Sequence, residues 1–395
     1  MTTVEVVATV SFWCCLGGLS YAYFLYPGLA WFFSRCFGRR IDQRPATIAV
    51  EALPSISILI VANNEESIIA KRIENALALD YPRERLEIAV ASDGSTDRTN
   101  ELVRQYASAG VRLFDFQVRR GKAAALNSAV PALNGEIILL SDANTFFAPD
   151  AGRKLVRWFI DSSVHSVCGR LLLTDPSTGT NVDSLYWRYE TFLKRCEGRL
   201  GALLGANGAV YAIRKAIYTP IPDNTLVDDF VIPLYAKLRH GGLIVYDCEA
   251  VAHEDSPASV AAEFRRRARI GAGGYQSLVL LWRLLSPRYG WTAFAFCSHK
   301  LMRWLCPFFM IGSLVSNVAL LSRTSYAWFF AAQLVFYAVA AVTAFVPTRF
   351  TALKPLRLTT MFASMNIALL VGFFRFATTR QQGTWTRTAR LAEVE

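Results

Sequence analysis

The sequence predicts an α/β domain with a mainly parallel sheet, carried between transmembrane and interfacial α-helices. Short apolar runs of strand length alternate with helix-period segments from Pro54 onward, the order that builds a parallel sheet with helices on its faces. Long apolar runs precede and follow that region. The hydrophobic content of 53% also exceeds the roughly 45–50% usual for soluble domains.

The first run, Val6 to Phe33, contains no charged residue and exceeds the about 20 apolar residues that cross a bilayer. It is too long for a signal peptide, and no basic segment precedes it. Arg35, Arg39, Arg40 and Arg44 follow closely, which predicts a cytoplasmic side for what comes next. There "SISILIV" reads as a strand, and "EESIIAKRIENALAL" as a helix with Ile69, Ile73, Ala76 and Leu77 at helical spacing. "LEIAVAS" is a strand, "DGSTDRT" a turn leading into the helix "NELVRQYA", and "VRLFDF" a strand. "KAAALNSAV" then reads as a helix and "EIILL" as a strand.

Three later runs, Trp304 to Leu321, Tyr326 to Val346 and Leu358 to Phe374, are apolar. The expected division is a transmembrane helix in 1–40, the α/β domain in 50–257 and amphipathic interfacial helices in 258–303, then transmembrane helices in 304–378 and a basic tail in 379–395. Three later spans put the C-terminus outside, whereas Arg375, Arg380, Arg387 and Arg390 favour the inside, so the alternative is that one run lies in the interface.

The net charge of +11 comes with no zinc-finger or single-strand-binding signature, so nucleic acid is not an expected partner and anionic lipid or phosphorylated substrates are. Eight scattered cysteines without a C-x-x-C pair fit a reducing compartment and no structural zinc. No G-x-G-x-x-G follows the first strand, and there is no Walker-type lysine loop and no G-x-S-x-G elbow. A dinucleotide fold, a P-loop ATPase and an α/β-hydrolase are therefore unsupported.

In an open parallel sheet, ligands bind beyond the carboxyl ends of the strands. "ANNEE", "SDGSTD" and "SDANT" all follow strands, and one crevice can hold all three. In "SDANT", Asp142 and Asn144 offer two side-chain oxygens two positions apart, a pattern that suits a hard divalent cation shared with a phosphate; an ordinary turn also favours these residue types.

Seven segments, "VANNEE", "ASDGSTDRT", "RRGKAAALN", "SDANT", "GANGAVYAIRK", "VDDF" and an arginine-rich stretch, occur in that order. Together they resemble a membrane-embedded family 2 glycosyltransferase of the GT-A (Rossmann-like) fold, the branch with hyaluronan, cellulose and poly-N-acetylglucosamine synthases. The resemblance implies a nucleotide-sugar donor, a UDP-sugar, and a growing polysaccharide as acceptor, possible export included. The other reading is a single addition to a membrane lipid such as a polyprenyl phosphate or sphingolipid, and a third is a non-catalytic nucleotide-binding membrane protein.

By this resemblance Asn64 and Glu65 line the nucleotide pocket, Asp93 and Gly94 hold the base, and Lys122 reaches the diphosphate. Asp93 has the alternative of capping the next helix with its turn. Asp142 and Asn144 stand at the family's D-x-D metal pair, with Mg²⁺ or Mn²⁺ implied; the neutral Asn144 is a departure that weakens the site. Asp229 falls at the general base, with Asp228 as its rival, and both also suit the first turn of a helix. Asn207 and Gly208 look like an acceptor-side loop.

"EFRRRARIGAGGYQSL" lies where processive members carry Q-x-x-R-W: Glu263 stands for Gln, Arg266 for Arg and Arg267 for Trp. Phosphate binding by Arg266 and Arg267 is thus implied while acceptor stacking is in doubt, and a lipid-facing basic helix is the alternative. Trp385 in "TWTRTAR" resembles tails that fold back toward the donor pocket. The expected location is the inner membrane of a bacterium, with the catalytic domain in the cytoplasm.

Overall fold

The computed structural model describes residues 2–38, 48–174, 185–255, 260–345, 356–379 and 383. The chain divides into two compact units. One comprises Met1–Leu29, Glu263–Tyr275 and Phe296–Gln381; the other comprises Ala30–Ala262, Gln276–Ala295 and Gln382–Glu395.

The second unit is built on an 8-stranded sheet in the order β3-β2-β1-β4-β7-β6-β8-β5. The strands are β1 (Ile56–Ala62), β2 (Leu86–Asp93), β3 (Val111–Phe116), β4 (Ile137–Asp142), β5 (Thr145–Phe147), β6 (Val164–Thr174), β7 (Tyr211–Arg214) and β8 (Leu243–Asp255). β1 is buried along its whole length, which is why it reads as a continuous apolar run: a central parallel strand is covered on both faces. It pairs in parallel with β2 on one side and β4 on the other, Ile58 standing opposite Ile88 and Leu139. The chain therefore steps outward from β1 to β2 and β3, then returns to the other side of β1 with β4. That reversal is a topological switch point, where open α/β sheets place their ligands.

Beyond β4 the sheet is mixed. β7 runs antiparallel to β4 and β6, while β6 pairs in parallel with β8 and β5 runs antiparallel to β8. Every predicted strand from "SISILIV" to "EIILL" is present. The first helix starts only at Ile69, however, because Asn64 takes a left-handed backbone (φ 56°) and the residues after it form a turn. "NELVRQYA" likewise stops as a helix at Arg104, and Gly110 (φ 82°) closes the turn into β3.

The helix Ile69–Leu77 buries Ile69, Arg72, Ile73 and Ala76 against the sheet. Its Asn75 clasps β5 like a neighbouring strand: Nδ2 donates to the Phe147 carbonyl at 2.9 Å, and Oδ1 accepts from the Phe147 N–H at 2.8 Å.

Among the described residues, four helices in the other unit and its connections are long and apolar enough to cross a bilayer: Thr3–Cys36, Trp291–Val318, Thr324–Ala344 and Arg357–Ala377. The first begins with a capping box between Thr2 and Glu5 and includes a π-helical turn at Tyr21–Leu25. A second π-turn, Phe296–Leu301, packs near it, with the Tyr21 hydroxyl 2.7 Å from Ser298 Oγ and the Tyr26 and His299 rings stacked at 5.7 Å. Interhelical polar contacts add specificity where apolar contact alone gives little: Gln333 Nε2 donates to Ser313 Oγ at 3.1 Å and the Thr343 and Thr360 hydroxyls meet at 2.5 Å. The boundary expected at residue 303 falls inside the helix Trp291–Val318. The helical run continues through the π-turn and past His299, Lys300 and Arg303 into the apolar stretch.

Asn75→Ala leaves both backbone polar groups of the buried Phe147 without their side-chain partner, a loss of about 2 kcal/mol. Thermal unfolding of the purified protein should show a midpoint lower by several degrees; an unchanged midpoint would show that the clasp contributes nothing.

Candidate active site

The loops after β1 and β2 are stitched together before any ligand is considered. Asn63 Nδ2 donates to the Asp93 carbonyl at 2.7 Å, and the Asn64 N–H donates to Ser95 Oγ at 3.1 Å. Asn64 Oδ1 accepts from the Thr96 N–H at 2.8 Å, and the Glu65 N–H donates to Thr99 Oγ1 at 2.8 Å. Asn64 and Glu65 thus sit at the switch point, Glu65 nearly buried, with Asn64 spending its side chain on the neighbouring loop.

Asp93, at the end of β2, is fully buried. Its Oδ1 accepts from the Arg120 N–H and its Oδ2 from the Gly121 N–H, both at 2.8 Å. The carboxylate therefore anchors the "RRGK" loop, and contact with a base requires those bonds to be shared. Gly94 is needed beside it: its φ is 65°, and a Cβ there would lie 2.6 Å from the Arg119 nitrogen.

The anchored loop delivers Lys122, first residue of the helix Lys122–Ala129. Its Nζ lies 2.7 Å from Asp142 Oδ1, at the end of β4, and 3.3 Å from Asp228 Oδ2. Burial alone would lower the Lys122 pKa, but Asp142 and Asp228 more than offset it, and the net shift is upward. Asp228 and Asp229 open the helix Asp228–His240, where the helix N-terminus favours negative charge. Asp229 Oδ2 accepts from the Gly208 N–H at 2.9 Å. Burial, then the charge of Asp228, raises the Asp229 pKa to about 6, with Lys122 opposing. A carboxyl so placed is a proton acceptor matched to near-neutral pH.

The "GANG" loop holds that carboxylate. Gly208 lets the backbone approach, since a Cβ would come 3.2 Å from Asp229 Oδ2. Asn207 fixes the loop: its Nδ2 donates to the Gly169 carbonyl at 2.8 Å, and its Oδ1 accepts from Lys194 Nζ.

Asp142 is 38% exposed, and one of its oxygens is held by Lys122. Asn144 Nδ2 donates to Glu254 Oε1 at 3.3 Å. Two hard oxygen donors at an open strand end suit a divalent cation. Among the described residues no group of three or more acidic, His or Cys side chains gathers as a self-sufficient metal site.

The structure thus brings Asn64, Glu65, Asp93, Gly94, Lys122, Asp142, Asn144, Asn207, Gly208, Asp228 and Asp229 to the carboxyl edge of one sheet. Arg266 and Arg267 belong to the other unit, where both pair with Glu263, at 2.9 and 2.7 Å. Trp385 lies outside the described residues.

Three residues were not singled out from sequence. Lys194 fixes Asn207. Tyr211 opens β7 beside the acids and is fully buried. Arg72, also fully buried, stacks its guanidinium 4.8 Å over the Phe147 ring. Burial lowers the Arg72 pKa to about 9, against the pull of Asp142. A lone charge at a core-facing position of an amphipathic helix was the available signal for Arg72; Lys194 and Tyr211 carried none.

Residues 57–218 match the model of "Glycosyl transferase family 2". The chain carries a family 2 glycosyltransferase domain. A beta-monoglucosyldiacylglycerol synthase of Nostoc sp. is 29% identical to it over 249 residues, which are 59% of this chain and 52% of that protein. The poly-beta-1,6-N-acetyl-D-glucosamine synthase of Staphylococcus aureus is 26% identical over 264 residues, 65% of this chain and 63% of that one. The chain spans about half the length of the Nostoc relative. A solved mannosyltransferase from Pyrobaculum calidifontis, in complex with GDP-Man and Mn²⁺, superposes with a TM-score of 0.68 at 19% identity, over 95% of this chain and 99% of that one. That likeness gives the glycosyltransferase domain the GT-A fold expected for it.

Lys122→Met leaves Asp142, Asp228 and Asp229 facing one another without their shared cation. The expected loss at pH 7.5 is about 3 kcal/mol, the low end of what breaking a buried ion pair costs, because the exposed side of Asp142 is screened. The loss should shrink as pH falls through about 6 and Asp229 takes up a proton. Thermal midpoints of both proteins at pH 7.5 and 5.5 measure it, and an equal loss at the two values would contradict the shared-cation geometry.

Proposed function

We propose that the protein is an inverting glycosyltransferase that moves a sugar from a nucleotide-diphosphate donor, a UDP-sugar, to a hydroxyl of a growing polysaccharide at the membrane. The observation that carries this reading is Lys122 seated between Asp142 and Asp228, beside an Asp229 whose proton affinity is raised. Such an arrangement supplies a cation for a leaving diphosphate and, next to it, a carboxylate for the attacking hydroxyl.

The donor nucleotide lies over the stitched loops of Asn64, Glu65, Asp93 and Gly94, with its diphosphate at Lys122. Asp142 and Asn144 would hold Mg²⁺ or Mn²⁺, which when bound would supply charge neutralisation for a leaving phosphate. Asp229 accepts the acceptor hydroxyl's proton as that oxygen attacks the anomeric carbon from the face opposite the leaving group. Asp228 holds the Lys122 ammonium at this edge until the donor diphosphate arrives. The Gly208 loop fixes the direction of Asp229 and borders the acceptor side. By the sequence resemblance alone, Arg266, Arg267 and Trp385 also belong to the donor-binding set. The catalytic domain, 50–257, faces the cytoplasm of a bacterial inner membrane, because Arg35 and the arginines after it follow the first span.

A second reading, one sugar added to a membrane lipid, is favoured by one specific feature: Arg267 stands where processive enzymes carry an acceptor-stacking tryptophan. The Nostoc relative, named for a glucosyl lipid, agrees with it. Product mass separates the two, since a ladder of long chains supports the polymer and a single glycolipid the alternative.

Detergent-purified protein offered UDP- and GDP-sugars with Mn²⁺ should release nucleotide, and turnover of none of them would sink the reading. Asp229→Asn should retain donor binding and lose transfer by roughly a hundredfold or more. Because the base works ionised and its pKa lies near 6, wild-type kcat/KM should rise through about pH 6 and level above it. A variant transferring at the wild-type rate would remove Asp229 from the base role.

A further inference from the structure

Tyr211 is the first residue of β7 and is fully buried, yet its hydroxyl has no hydrogen-bond partner among the described residues. A buried hydroxyl left unsatisfied is destabilising, so its presence calls for a state of the protein in which it is satisfied. Strand register shows where it sits. Tyr211 stands opposite Leu140 of β4 and opposite Cys168 of β6. Side chains two apart on a strand share a face, so Leu140 and Asp142 point the same way, and the Tyr211 ring lies on that face within diagonal reach of Asp142. Three residues earlier, the Gly208 N–H holds Asp229.

A second buried atom in this cluster, Asp228 Oδ2, accepts no hydrogen bond from any described residue and is reached by the Lys122 ammonium as an ion pair at 3.3 Å. The same three acids set the surroundings of the phenol; burial first, then Asp228 and Asp229, push its pKa well above the usual tyrosine value. A donor and an acceptor, both buried, thus flank the carboxylate cluster without bonding each other.

We propose that Tyr211 is a positioning residue whose hydroxyl takes over Asp228 when Lys122 leaves it for the diphosphate of the donor. This rests on the nucleotide-diphosphate reading above. One ammonium now serves Asp142 and Asp228. An arriving diphosphate draws it toward more negative charge and strands Asp228 as a buried anion beside Asp229, a costly arrangement without a replacement donor. Tyr211 is that replacement, and the unsatisfied phenol of the donor-free protein is its waiting state. Its absence would keep Lys122 on Asp228 and weaken the donor site.

This role separates from a merely structural one. Without nucleotide, Tyr211→Phe removes no hydrogen bond to a described residue, so the thermal midpoint should stay the same or rise, while affinity for the donor nucleotide falls roughly tenfold or more. Adding Asp228→Asn to Tyr211→Phe removes the stranded charge and should restore nucleotide binding. The experiment is calorimetry of the full chain in detergent with UDP and with GDP, each with Mn²⁺, alongside thermal unfolding without nucleotide. If Tyr211→Phe binds as tightly as wild type, the proposal falls and the donor reading stands. If its midpoint drops by several degrees together with binding, Tyr211 is structural and the proposal is likewise overturned. If wild type binds neither nucleotide, both readings fall together.

Discussion

The contact on which the site depends is the ammonium of Lys122 held between Asp142 and Asp228. It joins three parts of the chain far apart in sequence: the loop after β3, the end of β4, and the first turn of the helix Asp228–His240. Without that cation, three carboxylates would crowd one edge of the sheet, and at least one would have to be protonated or move apart. The same ammonium tempers the proton affinity of Asp229, which burial and Asp228 raise. Charge balance, sheet topology and the basicity of the candidate base are therefore one arrangement.

The rest of the site is backbone held by side chains. Asp93 fixes the Lys122 loop through two backbone N–H groups, Asn63 and Asn64 tie the β1 loop to the β2 loop, and Asn207 with Lys194 fixes the loop that grips Asp229. Conformations set in this way need little reordering when a ligand arrives, which is where pre-organised sites gain. Residues whose types suggest ligand contact thus spend much of their hydrogen-bonding capacity on one another.

Much of this was legible in the sequence, for physical reasons. β1 through β4 announced themselves because buried parallel strands are continuous apolar runs bounded by turn residues, and their polar ends marked the ligand edge. Asp142 and Asp229 could be named because ordered motifs carry position. The two-sided use of Lys122 could not, since nothing local links residue 122 to residue 228. Tyr211 was hidden for a similar reason: its neighbourhood follows from the register of β7 against β4 and β6. Asp93 shows the opposite case, a residue whose motif was plain but whose carboxylate is taken by Arg120 and Gly121.

The open question of chemistry is where Lys122 goes when a donor arrives. A structure of the protein with a nucleoside diphosphate and Mn²⁺ answers it most directly. The metal is expected on Asp142, with Lys122 Nζ within hydrogen-bonding distance of a diphosphate oxygen, at about 2.7–3.0 Å. A nucleotide bound away from the β1–β4 edge, or a Lys122 still bridging Asp142 and Asp228 beneath a bound diphosphate, would contradict that placement.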